Sequence, residues 1–192
     1  MTEAMWPQHV ILFDLMRRCK SLHCDISWMH TFETMELMVR HFGADRLLFA
    51  LGNRSHQGAA IAALARADLT AAQRRQIAHG NLDRLTGLSP SPAQECRWTS
   101  NTLWPSFLSG APLEVDMVDA HGHLGPSSGY VMEFQEESVQ LQAALRTLDK
   151  TGIRTFIVSG MQAIMGDPVR GNALLEKVLR PHAGRVSGYF GF

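Results

Sequence analysis

The run Val118-Asp119-Ala120-His121-Gly122-His123-Leu124 decides how the rest of the chain is read. Met117, Val118 and Ala120 suit an extended backbone, and Gly125-Pro126 stops the run at once. Alternate residues of a strand share a face, so His121 and His123 point the same way, with Asp119 two residues earlier in the same register. Neutral imidazole nitrogen is a common zinc ligand, and two such rings at the mouth of one strand suit a divalent metal. The competing reading is a buried strand end whose histidines hydrogen-bond to backbone.

Length and composition bound what can surround this motif. A chain of 192 residues has room for one domain with a sizeable core or for two very small ones. It is short for a complete eightfold β/α barrel, which takes at least about 200 residues and typically about 250. Lys+Arg and Asp+Glu balance at 18 each, which leaves no electrostatic case for nucleic acid or an anionic membrane as partner. No apolar run approaches the roughly 20 residues that span a bilayer, and the first eight residues lack a secretory pattern. Three widely spread cysteines read as reduced thiols. The expectation is a soluble, cytoplasmic protein.

Outward from the motif, strand and helix patterns alternate. Residues 9–20 predict a helix buried through Ile11, Leu12, Leu15 and Cys19 or Met16. Residues 21–27 read as a short strand. Cys19, His23, Cys24 and His30 fit no familiar zinc spacing and read as ordinary packing. Residues 31–42 predict a helix capped by Thr31 and stopped by Gly43. Residues 46–50 predict a buried strand, followed by a polar loop over 51–58 and an alanine-rich helix over 58–67. Thr70 is expected to cap a further helix that Gly80 ends.

The stretch 86–116, with Ser89-Pro90-Ser91-Pro92, Pro105, Gly110 and Pro112, reads as a linker that packs through Trp98, Trp104 and Phe107. Domain boundaries are therefore expected at 1–85, 86–116 and 117–192. In the last block, residues 133–150 predict a helix ended by Gly152, and residues 154–158 a strand closed by Ser159-Gly160. Asn172 is expected to cap a helix reaching Arg180, buried through Leu174, Leu175, Val178 and Leu179, before a strand that begins at Val186. Alternation of this kind argues for parallel β/α architecture, whose functional groups gather after the carboxyl ends of strands.

The second block, with its His-x-His strand, Asn172 and Arg185-Val186-Ser187-Gly188-Tyr189, resembles the beginning of an amidohydrolase-related metal-dependent hydrolase barrel. The first block resembles the end of the same domain, through Phe42-Gly43-Ala44-Asp45-Arg46-Leu47-Leu48-Phe49 and Gly80-Asn81-Leu82-Asp83-Arg84-Leu85. The resemblance implies an α/β fold, an incomplete or permuted (β/α)8 TIM-barrel-like arrangement of about five parallel strands with flanking helices. Strands seven and eight would precede strands one to three, whether by permutation, fragmentation or a tandem-domain junction, as five adjacent staves of one sheet.

It also implies a divalent metal, most readily zinc, held by His121 and His123, and hydrolysis of a small-molecule substrate. The family draws further ligands from middle strands that this chain does not show, so the machinery is incomplete as the chain stands. Many relatives carry an aspartate base after the last strand, where this chain has Asn53; asparagine cannot take a proton from water. His56 is a weak substitute candidate. Asp119 either orients a ligand histidine or caps the turn. The alternative function is a non-catalytic remnant or interaction protein, self-associating through open sheet edges.

Overall fold

The computed structural model describes residues 4–5, 8–29, 31–52, 57–87, 103–126 and 136–192. They fall into two compact units, divided between Ser109 and Gly110. His30, Asn53, His56, Trp98 and the 89–92 run lie outside the described residues.

The first unit runs α1 (His9–Arg18), β1 (Cys24–Asp25), α2 (Thr34–Phe42), a 3-10 turn (Ala44–Arg46), β2 (Leu47–Leu48), α3 (Gln57–Arg66), α4 (Ala71–Arg75), a π turn (Gln76–Gly80), α5 (Asn81–Thr86) and α6 (Leu103–Ser109). Nearly every position of α1 from Val10 to Met16 is apolar, so periodicity could not choose its buried face. The face that packs is His9, Leu12 and Met16, while Ile11 is 60% and Leu15 41% exposed. His9 Nε2 meets the Ala4 carbonyl at 3.2 Å, and the Cys24 thiol donates to the Met16 sulfur at 3.5 Å. Those two contacts fix the helix rotation.

The strands of this unit are shorter than their sequence suggests. β1 and β2 pair in parallel over two residues each, Cys24 with Leu47 and Asp25 with Leu48. β2 then leaves the sheet because the Phe49 N–H donates to the Ile77 carbonyl in the π turn, at 3.0 Å. Gly80 does not end the helix: its φ of −58° is helical, and the chain continues to Gly87, whose φ of 69° makes the stop. Asn81 explains the continuation. Its buried amide donates to the carbonyls of Ala44 and Leu47 at 2.7 and 2.8 Å, tying α5 to the start of β2. Arg46, expected inside a strand, is buried at the end of the 3-10 turn. It donates to the carbonyls of Met16 in the last turn of α1 and of Cys19 and Leu22 just beyond it. α2 starts at Thr34 rather than after a Thr31 cap, with Glu33 at φ 57° before it. Part of the expected linker is helical: α6 stacks Trp104 on Phe107, and the Arg66 guanidinium of α3 lies 5.3 Å from the Phe107 ring centre.

The second unit runs β3 (Met117–Leu124), α7 (Glu137–Thr151), β4 (Ile153–Gly160), α8 (Met161–Met165), α9 (Pro168–Leu179), a 3-10 turn (Arg180–His182) and β5 (Val186–Gly188). Its three strands pair in parallel in the order β3-β4-β5. Phe156, Val158, Leu124 and Val186 are buried on one face, covered by Leu141, Leu145 and Leu148 of α7 and by Leu175 and Leu179 of α9. Asp167, not Asn172, caps α9 by accepting the Arg170 N–H, with Pro168 opening the helix. Asn172 sits inside α9, where its amide makes two hydrogen bonds with the backbone of Gly191, at 2.9 and 3.0 Å. That clamp holds the segment after β5.

The fold is thus mixed α/β, with two small parallel sheets. The five described strands do not form adjacent staves of one sheet: no ladder joins β1–β2 to β3–β4–β5 among the described residues, and these strands close no barrel. The divergence of β2 toward Ile77 is the local reason that the first pair stays a pair.

Between β3 and β4, residue 122 has no room for a side chain. A Cβ on Gly122 would sit 2.1 Å from two carbons of the Phe156 ring. Gly122→Ala is therefore expected to destabilise by about 2 kcal/mol, and Phe156→Ala by about 3–5 kcal/mol. The double variant should lose clearly less than the sum, because removing the ring makes room for the methyl. Chemical denaturation of the four proteins checks this, and strictly additive losses would contradict the packing.

Candidate metal centre

The histidine pair depends on an irregularity in β3. Asp119 pairs with Phe156 and Gly122 with Val158, so β3 advances three residues where β4 advances two. This is a bulge of one residue, the kind of feature that re-aims side chains near a site. The His121 N–H is satisfied by the carboxylate of Asp119, at 3.1 Å. Asp119 therefore caps the turn rather than orienting an imidazole. Beyond the bulge the register is regular, His123 opposite Ser159 and Leu124 opposite Gly160.

Register then assigns the faces. Gly122 and Leu124 share the helix-covered side with Val158 and Gly160. His121 and His123 lie on the other face with Ser159, Ile157 and Val118, which is 59% exposed. The two Nε2 atoms are 3.1 Å apart, and the rings meet edge to face with centres 4.9 Å apart. His123 Nδ1 lies 2.9 Å from the Ser159 hydroxyl. Partial burial, and then the neighbouring His121, hold the His123 pKa below its ordinary value.

The pair fits two positions of a divalent-metal shell. Ligand nitrogens about 2.0–2.1 Å from zinc, at a tetrahedral angle, lie roughly 3.3 Å from each other. The separation of 3.1 Å is close to that. Among the described residues no third His, Cys, Asp or Glu joins them. Among the described residues, Cys19, His23 and Cys24 do not assemble into a metal-binding group either. The Cys24 thiol is turned into the core, and burial pushes its pKa up to about 12, while Cys19 is exposed beside the Ser21 hydroxyl. His23 Nδ1 is within 2.9 Å of the Ser21 carbonyl. Sequence reasoning placed both histidines on one face but did not single out Ser159. Its signal was available only through the parallel register, which sets it beside His123 from a strand 36 residues away.

No family model matches the sequence, and neither the curated proteins nor the solved structures searched contain a match.

The lowered His123 pKa has a definite sign in stability. Below about pH 6.5 the unfolded chain takes up a proton at this position more readily than the folded one. The stability it contributes is complete above that value and is lost as pH falls through the lower folded pKa. Denaturation at pH 7.5 and pH 5 is expected to show a loss of stability on acidification, reduced in His123→Gln. An acid-induced loss equally large in the variant would contradict the assignment.

Proposed function

We propose that the second unit carries the metal-binding corner of a metal-dependent hydrolase of the amidohydrolase-related type, with His121 and His123 as two ligands of a divalent cation, zinc by preference. The observation that supports this reading is the 3.1 Å approach of two Nε2 atoms on the exposed face, at the carboxyl end of a parallel strand. Catalytic zinc normally uses three protein ligands and a water, so the further ligands of this reading come from outside the described residues. A bound cation would acidify water and polarise the carbonyl of a small-molecule substrate. The chain's own contribution is positional: the bulge sets His121 on the exposed face, Asp119 caps its backbone N–H, and Ser159 holds His123. Asparagine cannot take a proton from water, so with Asn53 in the place of the family's aspartate base this reading leaves proton transfer to another group. The proposed setting is cytoplasmic; among the described residues no helix is long and apolar enough to cross a membrane.

A second reading starts from the sheet order, which leaves β3 and β5 at the edges of the three-stranded sheet among the described residues. In it the chain is a non-catalytic interaction protein that keeps parts of the fold and self-associates through those edges.

Metal binding separates the two. About one zinc per chain is expected to survive dialysis, and zinc at a hundredfold excess over its Kd should stabilise the folded protein by about 2.7 kcal/mol. His121→Ala and His123→Ala should each abolish both effects. Protein free of metal, with a denaturation midpoint indifferent to zinc, would overturn the hydrolase reading and support the second.

A further inference from the structure

We infer that Ser159 is a positioning residue that fixes His123 in the tautomer carrying its hydrogen on Nδ1, leaving the Nε2 lone pair directed at the space it shares with His121. For its consequence at a cation this rests on the metal reading above; the tautomer itself does not.

The Ser159 Oγ lies 2.9 Å from His123 Nδ1 and 3.4 Å from the Gly122 carbonyl oxygen, toward which it donates. A hydroxyl has one hydrogen to give and two lone pairs. With its hydrogen spent on the carbonyl, it can only accept from the imidazole, which must then be protonated at Nδ1. The opposite assignment gives the hydroxyl hydrogen to Nδ1 and leaves the carbonyl contact without one. It also places the ring's own hydrogen on Nε2, facing His121 Nε2 at 3.1 Å, so the two tautomers differ in which imidazole donates across that contact.

The chain Gly122 C=O, Ser159 O–H, His123 Nδ1–H thus makes one ligand nitrogen ready. It does so from β4, across the ladder, where His123 and Ser159 are direct partners. The hydrogen bond to the far nitrogen of a metal-bound imidazole commonly sets both its tautomer and its orientation. In this unit the acceptor is a neutral hydroxyl backed by a carbonyl. Among the described residues His121 meets no such partner on a neighbouring strand: its ring meets His123, and its backbone N–H is held by Asp119. The two ligands are therefore unequal, with only His123 held from across the ladder.

The test is imidazole 15N NMR on metal-free wild-type protein and on Ser159→Ala and Ser159→Thr, with zinc titration of the same three proteins. In the wild type, the His123 signals should show a protonated Nδ1 and a bare Nε2. Ser159→Ala should lose that preference and bind zinc about 10–100-fold more weakly, whereas Ser159→Thr, which keeps the hydroxyl, should retain the tautomer and come within a few-fold of wild-type affinity. A wild-type His123 protonated on Nε2 overturns the inference whatever the variants do. So does Ser159→Ala with unchanged tautomer, or with a shifted tautomer and undiminished zinc affinity. A Ser159-dependent tautomer in a protein that binds no zinc upholds the tautomer and overturns only the metal reading.

Discussion

An aromatic ring fills the place where residue 122 would carry a side chain. Phe156 is fully buried with its ring against β3 at Gly122, and this contact fixes which face of β3 turns inward. Strand parity does the rest. With Gly122 and Leu124 turned toward α7 and α9, His121 and His123 have no choice but the exposed face. A register slip of one residue would bury both imidazoles and expose Leu124, at a cost set by desolvating two polar rings and uncovering a large apolar side chain. The bulge at Ala120 and His121 reconciles this parity with the pairing lower in the strand, and Asp119 supplies the acceptor that the bulged amide needs. Packing thereby determines where the two nitrogens sit.

The first unit is held by a different device. Its sheet is only two residues deep, so its ladder contributes little, and two buried side chains bind backbone carbonyls around it. Arg46 takes three around the end of α1, and Asn81 takes two around the start of β2. A typical hydrogen bond of this kind contributes about 0.5–1.5 kcal/mol, and one from a charged donor about 1.5–3 kcal/mol. Around them the core is rich in methionine, with Met16, Met29, Met35 and Met38 filling irregular space that short strands cannot shape.

Much of this was legible in the sequence, and the failures have physical causes. The helices and their glycine stops at Gly43 and Gly152 followed from spacing and from the left-handed backbone those positions adopt. The common face of His121 and His123 followed from strand parity. Gly80 misled because a π turn absorbs it as an ordinary helical residue. Asn172 misled because a side-chain amide that resembles a cap is used for a distant contact with Gly191. Neither the extra residue in β3 nor the Ser159 partnership could be read, since both depend on how two strands align. The single five-stave sheet failed for the same reason: segments with the composition of strands say nothing about which neighbour receives their hydrogen bonds, and Phe49 gives its own to a helix turn.

The central claim is that packing of β3 on β4 leaves two imidazole nitrogens converging on one cation. X-ray absorption at the zinc edge, on the protein reconstituted with one zinc per chain, addresses this most directly. The account expects imidazole scattering from at least two rings at about 2.0 Å, falling by one ring in each of His121→Ala and His123→Ala if any metal remains. A zinc shell of oxygen alone, or imidazole scattering untouched by either substitution, would contradict it.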